Sequence, residues 1–115
     1  MKNIYDLIVE TFKEGMNIPL IREGKYYTFI EISTTVINKI KYDNAIHYRI
    51  SEMNTKKITK VFIELTYEYY INSSNNSFPN RSWYESHKLL KYEYKSRPCN
   101  YSVVKGLINT VLENN

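Results

Sequence analysis

The sequence predicts an α+β domain, in which an antiparallel sheet of four to five strands packs against an N-terminal helix and a C-terminal helix pair. Apolar residues recur at helical spacing near the N-terminus, alternate with polar residues in a strand-rich region over 16–72, and return to helical spacing over 82–113. A polar loop at 72–77 separates the last two regions. A chain of 115 residues can bury one hydrophobic core, so we expect a single domain over 1–115.

The first element is predicted to be a helix over residues 4–14. Asn3 can cap it, because its side chain can accept a hydrogen bond from an amide at the helix start. The apolar residues that follow lie on one stripe, and Asp6 and Glu10 lie off it. Gly15 is expected to end the helix, since glycine readily adopts the left-handed conformation found at that position.

Two β-prone runs come next, at 18–22 and 25–32, and the short glycine-containing link between them predicts a hairpin. Pro19 has no amide hydrogen to donate to a neighbouring strand. We therefore expect the first strand to lie at an edge of the sheet.

Residues 33–42 fit either a strand or a helical turn. Asp43-Asn44 suits a tight turn, and the residues after it alternate between apolar and polar. These two observations favour a second hairpin with its turn at Asp43-Asn44.

Residues 57–71 give the strongest strand prediction, because apolar side chains occupy every second position, as in a half-buried strand. The alternating residues are Val61, Ile63, Leu65, Tyr67, Tyr69 and Ile71. Phe62 and Tyr70 are exceptions on the opposite face.

The C-terminal region is predicted to form two helices with a break between them. Ser82 and Glu85 match a capping box, in which each side chain bonds the other residue's amide, and a helix is expected from there to about Lys95. Pro98 interrupts it, because proline lacks an amide hydrogen and restricts the residue before it. A last helix over about 101–113 carries a continuous apolar seam.

Composition limits where the protein is expected to work. A single cysteine cannot form an internal disulfide, which favours a reducing, cytoplasmic location. No apolar run approaches the roughly 20 residues that span a membrane, and the acidic residues near the N-terminus argue against a signal peptide. Asn, Ile, Lys and Tyr dominate while alanine occurs once, which suggests the AT-rich genome of a phage, a virus or a low-GC bacterium.

The net charge of +4 is concentrated in residues 81–105, which carry six basic and two acidic side chains. We therefore predict a small, non-catalytic nucleic-acid-binding protein that uses a basic, helix–turn–helix-like pair near its C-terminus. Its basic side chains would contact phosphates and its tyrosines would stack on bases. The predicted site comprises Tyr84, Lys88, Lys91, Lys95, Arg97, Tyr101 and Lys105. The simplest alternative is that these lysines serve only solubility.

A second hypothesis is a phage or viral inhibitor that blocks a host protein or ribonucleoprotein complex, as an anti-CRISPR protein does. It rests on the small size and the 12 tyrosines, since tyrosine is favoured at protein interfaces. Six tyrosines are expected to cluster on the faces of the sheet: Tyr26, Tyr27, Tyr48, Tyr67, Tyr69 and Tyr70. The edge strand at Pro19 would also permit a homodimer.

Catalysis is not predicted, and neither a cofactor nor a metal is expected. His47, His87 and Cys99 are too few for a zinc site, and no glycine-rich phosphate loop is present. Cys99 follows Arg97 near a helix start and could act as a hydrolase nucleophile if one of the histidines served as its base. A buried, unreactive cysteine is the commoner outcome.

Overall fold

The computed structural model describes residues 3–22 and 24–114 and confirms the predicted α+β architecture. One helix precedes a four-stranded antiparallel sheet, and four helices follow it within this part of the chain. In chain order the elements are α1 (Ile4–Thr11), β1 (Asn17–Pro19), β2 (Tyr26–Ile37), β3 (Ile40–Ser51), β4 (Asn54–Ile58), α2 (Lys60–Asn72), α3 (Arg81–Ser86), α4 (Lys91–Ser96) and α5 (Asn100–Glu113).

α1 begins as predicted but ends earlier. The Oδ1 atom of Asn3 accepts a hydrogen bond from the backbone N–H of Asp6 at 2.9 Å. The helix stops at Thr11 because Phe12 turns into an extended conformation and is buried in the core. Gly15 adopts a φ of +88°, so its predicted left-handed conformation occurs in the turn that leads to β1 rather than at the helix end.

The sheet is a meander in which each strand pairs with the next, in the order β1-β2-β3-β4. β1 lies at one edge, as Pro19 predicts, and pairs Ile18 with Tyr27 of β2. Residues 33–42 are strand on both sides of a two-residue turn at Asn38 and Lys39, whose φ angles are 50° and 68°. Positive φ at both positions is the geometry of the tight hairpin turn that matches the twist of its strands.

The turn predicted at Asp43-Asn44 is wrong, although the hairpin itself is present. The pairing shifts register between Ser33/Ala45 and Thr35/Tyr42, which leaves one extra residue in β3. Asn44 has a φ of 62° in this bulge. Asparagine tolerates such a conformation in a bulge as well as in a turn, so the residue type did not distinguish the two.

The strand predicted over 57–71 is also wrong, since β4 ends at Ile58 and α2 follows. Thr59 caps α2, and its Oγ1 atom accepts a hydrogen bond from the N–H of Phe62 at 3.2 Å. The buried residues of α2 follow helical rather than alternating spacing: Phe62, Ile63 and Thr66. The strand-rich region therefore ends well before the predicted residue 72.

The helix predicted from the Ser82 capping box to Lys95 is divided into α3 and α4. Asn80 caps α3 instead, through a hydrogen bond from the N–H of Trp83 to its Oδ1 atom at 3.0 Å. α3 ends at Ser86, and the fully buried Leu90 packs into the core just before α4. The predicted polar loop lies between α2 and α3, except for its first residue, which ends α2.

The core lies between one face of the sheet and a layer formed by α1, α2 and α5, which contact one another. α5 is the central helix, as its apolar seam predicts, and it also contacts β1 and β4. Its fully buried side chains are Val103, Val104, Leu107, Ile108 and Val111. From the sheet, fully buried side chains include Ile18, Ile46, Tyr48 and Ile58.

α5 lies close against β1 at Gly106. A Cβ atom at this position would lie 2.0 Å from the carbonyl oxygen of Pro19 and 3.1 Å from Cγ2 of Ile18. Glycine is therefore the residue that allows the central helix to pack against the edge strand.

No helix in the described ranges, 3–22 and 24–114, has both the length and the apolar character needed to cross a bilayer.

Candidate nucleic-acid interface

α4 carries two of the four exposed basic residues in the predicted binding segment. Its inward-facing residues, Glu93 and Tyr94, are buried, and Leu90 and Arg97 extend the same face at helical spacing. The residues on its other side are exposed: Lys91, Tyr92, Lys95 and Ser96. The amphipathic pattern thus places two lysines and one tyrosine at the surface of a helix that is fixed from behind.

A buried polar network holds α4 against the junction of β4 and α2. The carboxylate of Glu93, 3% exposed, accepts hydrogen bonds from the N–H of Thr59 at 2.9 Å, from the hydroxyl of Thr59, and from Nδ2 of Asn100 at 2.9 Å. The Oδ1 atom of Asn100 in turn accepts a hydrogen bond from the hydroxyl of Tyr48. This network connects α4, α5, β3 and the cap of α2.

Burial raises the pKa of Glu93, because a carboxylate loses hydration when it is removed from water. The hydrogen bonds from Thr59, the positive charge of Arg97 and the hydrogen bond from Asn100 oppose the rise without cancelling it. These same donors stabilise the ionised form and fix its orientation.

Arg97 fastens the end of α4 to the sheet. Its Nη1 atom donates to the carbonyl oxygen of Lys57 at 3.1 Å, and its Nη2 atom donates to Oγ1 of Thr35 at 2.6 Å. Asn100 donates to the same Lys57 carbonyl at 3.2 Å. One guanidinium therefore bridges β2 and β4 and sets the position of α4 relative to both strands.

Three open depressions follow one another along α4 and share their walls. Their volumes are about 570, 610 and 350 Å³. Tyr92 and Lys95 line both the first and the second, and Ser96 and Arg97 line both the second and the third. We refer to the three together as the α4 groove, which runs from α3 across α4 to β4.

The α4 groove is strongly basic. It is lined by five cationic side chains, Lys56, Lys57, Lys91, Lys95 and Arg97. Among the described residues, Glu85 is the one carboxylate in its lining, and no described carboxylate oxygen lies within 4.0 Å of these five cationic groups. At the β4 end, Nδ1 of His47 lies 3.4 Å from the Glu31 carboxylate. The groove thus presents positive charge that is not neutralised by close ion pairs in the described chain.

Three of the seven residues predicted from sequence line this groove: Lys91, Lys95 and Arg97. Lys88 is exposed between α3 and α4 but lies outside the groove lining. The side chains of the other three predicted residues are engaged in contacts within the protein: Tyr84, Tyr101 and Lys105.

Tyr84 is fully buried and cannot stack on a base in this fold. Its ring stacks on Phe62 with centroids 4.8 Å apart, and its hydroxyl shares a hydrogen bond of 2.7 Å with that of Thr66. The predicted role of Tyr84 assumed an unbroken helix through Lys95. The break between α3 and α4 turns Tyr84 inward while the lysines after it remain exposed.

The side chains of Tyr101 and Lys105 contact each other. The ammonium of Lys105, a residue only 8% exposed, lies 3.8 Å from the centroid of the Tyr101 ring, and the guanidinium of Arg81 lies 4.2 Å from the same centroid. Both cations are held by the π system of Tyr101. The predicted roles of Tyr101 in stacking and Lys105 in phosphate contact therefore do not fit their positions.

The helix–turn–helix-like arrangement is also not observed in the predicted form. The second helix, α5, is buried from Val103 to Ile108 and forms the centre of the core. A recognition helix must present its outer face to the major groove, whereas α5 is covered by the sheet and by α1 and α2.

Sequence reasoning missed Tyr92, Lys56 and Lys57 as members of the groove. Tyr92 is 47% exposed and adjoins the predicted Lys91, so its place beside the basic residues was readable from the sequence. The β4 lysines reach the groove because the strand lies next to Arg97, about 40 residues away in sequence. No local pattern signals that proximity.

The tyrosine-rich sheet surface expected for the inhibitor hypothesis is absent from the described structure. Tyr67, Tyr69 and Tyr70 lie on α2. Tyr48 is fully buried, Tyr27 is half-buried and stacks on Tyr48, and Tyr26 is exposed.

The groups considered for catalysis have structural partners in separate places. His47 contacts Glu31 on the sheet, and Nδ1 of His87 accepts a hydrogen bond from the N–H of Leu89. Cys99 is half-buried beside Tyr27. Within 3–22 and 24–114, no three or more His, Cys, Asp or Glu side chains are grouped so as to hold a metal ion.

Comparison of the chain with protein-family models, with curated proteins and with solved structures found no match.

Proposed function

We propose that the protein binds nucleic acid without catalysing a reaction, and that the α4 groove is the surface that makes the contact. The observation that supports this proposal is the row of five cationic groups with no described carboxylate in salt-bridge range. Such a row binds a phosphate backbone by replacing its condensed counterions, which supplies most of the affinity in non-specific complexes.

The five cations have two roles in this proposal. Lys56, Lys91 and Lys95 would contact phosphates directly. Lys57 and Arg97 would add positive charge while they brace the groove, because Nζ of Lys57 donates to the carbonyl of Thr34 at 2.7 Å and Arg97 bridges two strands. The proposed setting is the reducing cytoplasm predicted from the single cysteine.

The test is a titration of labelled oligonucleotides, followed by fluorescence anisotropy at several salt concentrations. The variant Lys56→Gln/Lys91→Gln/Lys95→Gln should bind about 10-fold to 100-fold more weakly at low salt, because three phosphate contacts are lost. Its plot of log affinity against log salt should also be shallower, by about 0.7 to 0.9 for each lost contact.

A matched control distinguishes binding by the groove from a general effect of net charge. Lys13→Gln/Lys25→Gln/Lys88→Gln removes the same total charge from exposed lysines outside the groove, and its affinity should fall by less than about 3-fold. Equal losses in the two triple variants would contradict the assignment of the groove. If the native protein binds neither DNA nor RNA, the proposed function is wrong.

A second candidate function is supported by an apolar rim on the same groove. Val36, 62% exposed, and Tyr92, 47% exposed, both line the second depression. Exposed aliphatic and aromatic side chains of this kind are typical of protein interfaces. This rim would suit a phage or viral inhibitor that blocks a host protein.

The blocking function predicts a stoichiometric complex with one host protein that depends on the apolar rim. Val36→Ser should strongly weaken capture of that protein, whereas Ile21→Ser, which removes an exposed aliphatic side chain elsewhere, should not. Capture that is insensitive to Val36→Ser would contradict this candidate.

A further inference from the structure

Tyr92 stands where the first two depressions of the α4 groove meet. It is 47% exposed, and its side chain lines both depressions. The ammonium of Lys91 lies 5.3 Å from its ring centroid, and Lys95 lines the same two depressions. An aromatic ring thus lies beside one cation, in a concave surface that a second cation also lines.

This combination matches the requirements for unpaired bases. Proteins that bind single strands track the backbone with positive charge and stack bases on aromatic rings, which works for every base because each has a π face. In a duplex, by contrast, the base faces are covered by their neighbours, and only the edges are presented in the grooves. A ring inside a groove can reach a base face only when the strand is unpaired.

The shape of the surface agrees with this distinction. The two depressions beside Tyr92, at about 570 and 610 Å³, have the size of pockets that hold small organic groups. α4 is six residues long and lies between depressions, and α5 is buried, so neither helix projects as a recognition helix does. A rigid duplex would bridge these depressions without filling them.

The spacing of the cations is compatible with a backbone that passes along α4. Lys91 and Lys95 are four residues apart on the same helix, which corresponds to a rise of about 6 Å. They lie on one face, as residues at this spacing do. Lys56 and Arg97 continue the positive charge toward β4.

From these observations we infer that the ligand of the α4 groove is single-stranded nucleic acid, with a base stacked on Tyr92 and the flanking phosphates on Lys91 and Lys95. This inference rests on the proposed function and narrows it to one class of nucleic acid. Bases are read by stacking, so binding is expected to depend little on sequence.

The experiment compares single-stranded DNA and RNA oligonucleotides with a blunt duplex hairpin of the same sequence, again by anisotropy. Single strands of at least one type should bind about 10-fold more tightly than the duplex. Tyr92→Leu should weaken single-strand binding by about 10-fold, in the range found when a stacking aromatic is removed. The salt dependence of Tyr92→Leu should match that of the native protein, because the phosphate contacts remain.

Two further variants test whether the aromatic ring of Tyr92 is responsible for the change in affinity. Tyr92→Phe keeps the aromatic face and should retain more affinity than Tyr92→Leu. Tyr26→Leu removes an exposed tyrosine that does not line the groove, and its affinity should equal that of the native protein. Ultraviolet irradiation of the complex should crosslink the strand to the peptide that contains Tyr92.

The outcomes distinguish this inference from the proposed function. If the duplex binds as tightly as the single strands, or if the leucine and phenylalanine variants behave alike, the single-strand inference is overturned. The proposed function survives that result as long as the groove lysines still matter. If polyglutamate binds more tightly than every oligonucleotide and no tyrosine variant has an effect, the groove recognises acidic protein, and both statements are overturned.

Discussion

At the residue scale, Glu93 connects the packing of the core with the geometry of the groove. Its carboxyl lies directly behind the exposed lysines of α4 and is bonded to the cap of α2 and the start of α5. Removing a carboxylate from water is costly, and these three donors offset that cost only in one orientation. The residue therefore fixes α4 at some expense in stability whenever it is ionised.

Because burying the ionised Glu93 carboxylate is costly, we expect the free energy of unfolding to depend on pH. The pKa of Glu93 is raised in the folded protein, so the folded state holds the proton more tightly than the unfolded chain, where glutamate titrates at about 4.3. The contribution of Glu93 to stability is thus greatest below that value and decreases as pH rises through the window up to the raised pKa. Glu93→Gln resembles the protonated form and should become progressively more stable relative to the native protein across that window.

The measurement is urea denaturation of both proteins at several pH values. Glu85→Gln, which changes the exposed carboxylate in the lining of the same groove, is the matched control, and its pH dependence is subtracted. A difference between Glu93→Gln and the native protein that is constant with pH would contradict the prediction.

The two tyrosines of the groove region show what residue-level reasoning could and could not provide. Tyr84 and Tyr92 both lie in the basic segment 81–105, and both suit a stacking role by residue type. Tyr84 is instead buried against Phe62, and Tyr92 is exposed, because the chain breaks its helix after Ser86 and inserts Leu90 into the core. The charge of the segment could be predicted, but the rotation that the break introduces could not.

At the scale of elements, the local signals that were correct are those with one physical interpretation. Asn3 caps α1, Pro19 lies in an edge strand, and the apolar seam of α5 is buried. α2 was mistaken for a strand because apolar residues cover several of its faces, so they match a period of two as well as 3.6. Phe62, which broke the alternation, is one of the residues that the helix buries.

The packing of α5 on β1 gives a prediction at this scale. Alanine is favoured over glycine in a helix by up to about 1 kcal/mol, so propensity alone would make Gly106→Ala stabilising. The added Cβ would meet the Pro19 carbonyl oxygen at 2.0 Å, and the two elements would have to separate. We expect the steric effect to dominate and the free energy of unfolding to fall by about 1–3 kcal/mol.

Chemical denaturation followed by circular dichroism measures this change. Asn109→Ala, at an exposed position of the same helix, tests propensity without the close contact and should stabilise the protein by a few tenths of a kcal/mol. If Gly106→Ala were as stable as Asn109→Ala, the close approach of α5 and β1 would not be a constraint on the fold.

At the scale of the whole molecule, the groove is a product of tertiary structure. Lys91 and Lys95 come from α4, Lys56 and Lys57 from β4, and the second depression ends at the tip of the β2–β3 hairpin. Hydrogen bonds of Arg97 span 62 residues to Thr35 and 40 residues to Lys57. The sequence therefore predicted the basic segment and three of the five cations of the groove, whereas the two β4 lysines join it through a tertiary contact that no local pattern specifies.

Arg97 is the side chain through which this assembly can be tested as a unit. Arg97→Lys keeps the positive charge, but a single ammonium cannot reproduce the planar fork that reaches both Thr35 and Lys57. We expect the free energy of unfolding to fall by about 1–3 kcal/mol, because hydrogen bonds from a charged group are lost. Nucleic-acid affinity should fall as well, although the net charge is the same, because the lysines of α4 and β4 are no longer held beside one another.

Lys95→Arg is the matched control, since it exchanges the same two residue types at an exposed position and should change stability by less than about 0.5 kcal/mol. If Arg97→Lys had native stability and native affinity, the groove would not need the two hydrogen bonds of Arg97, and charge alone would determine binding.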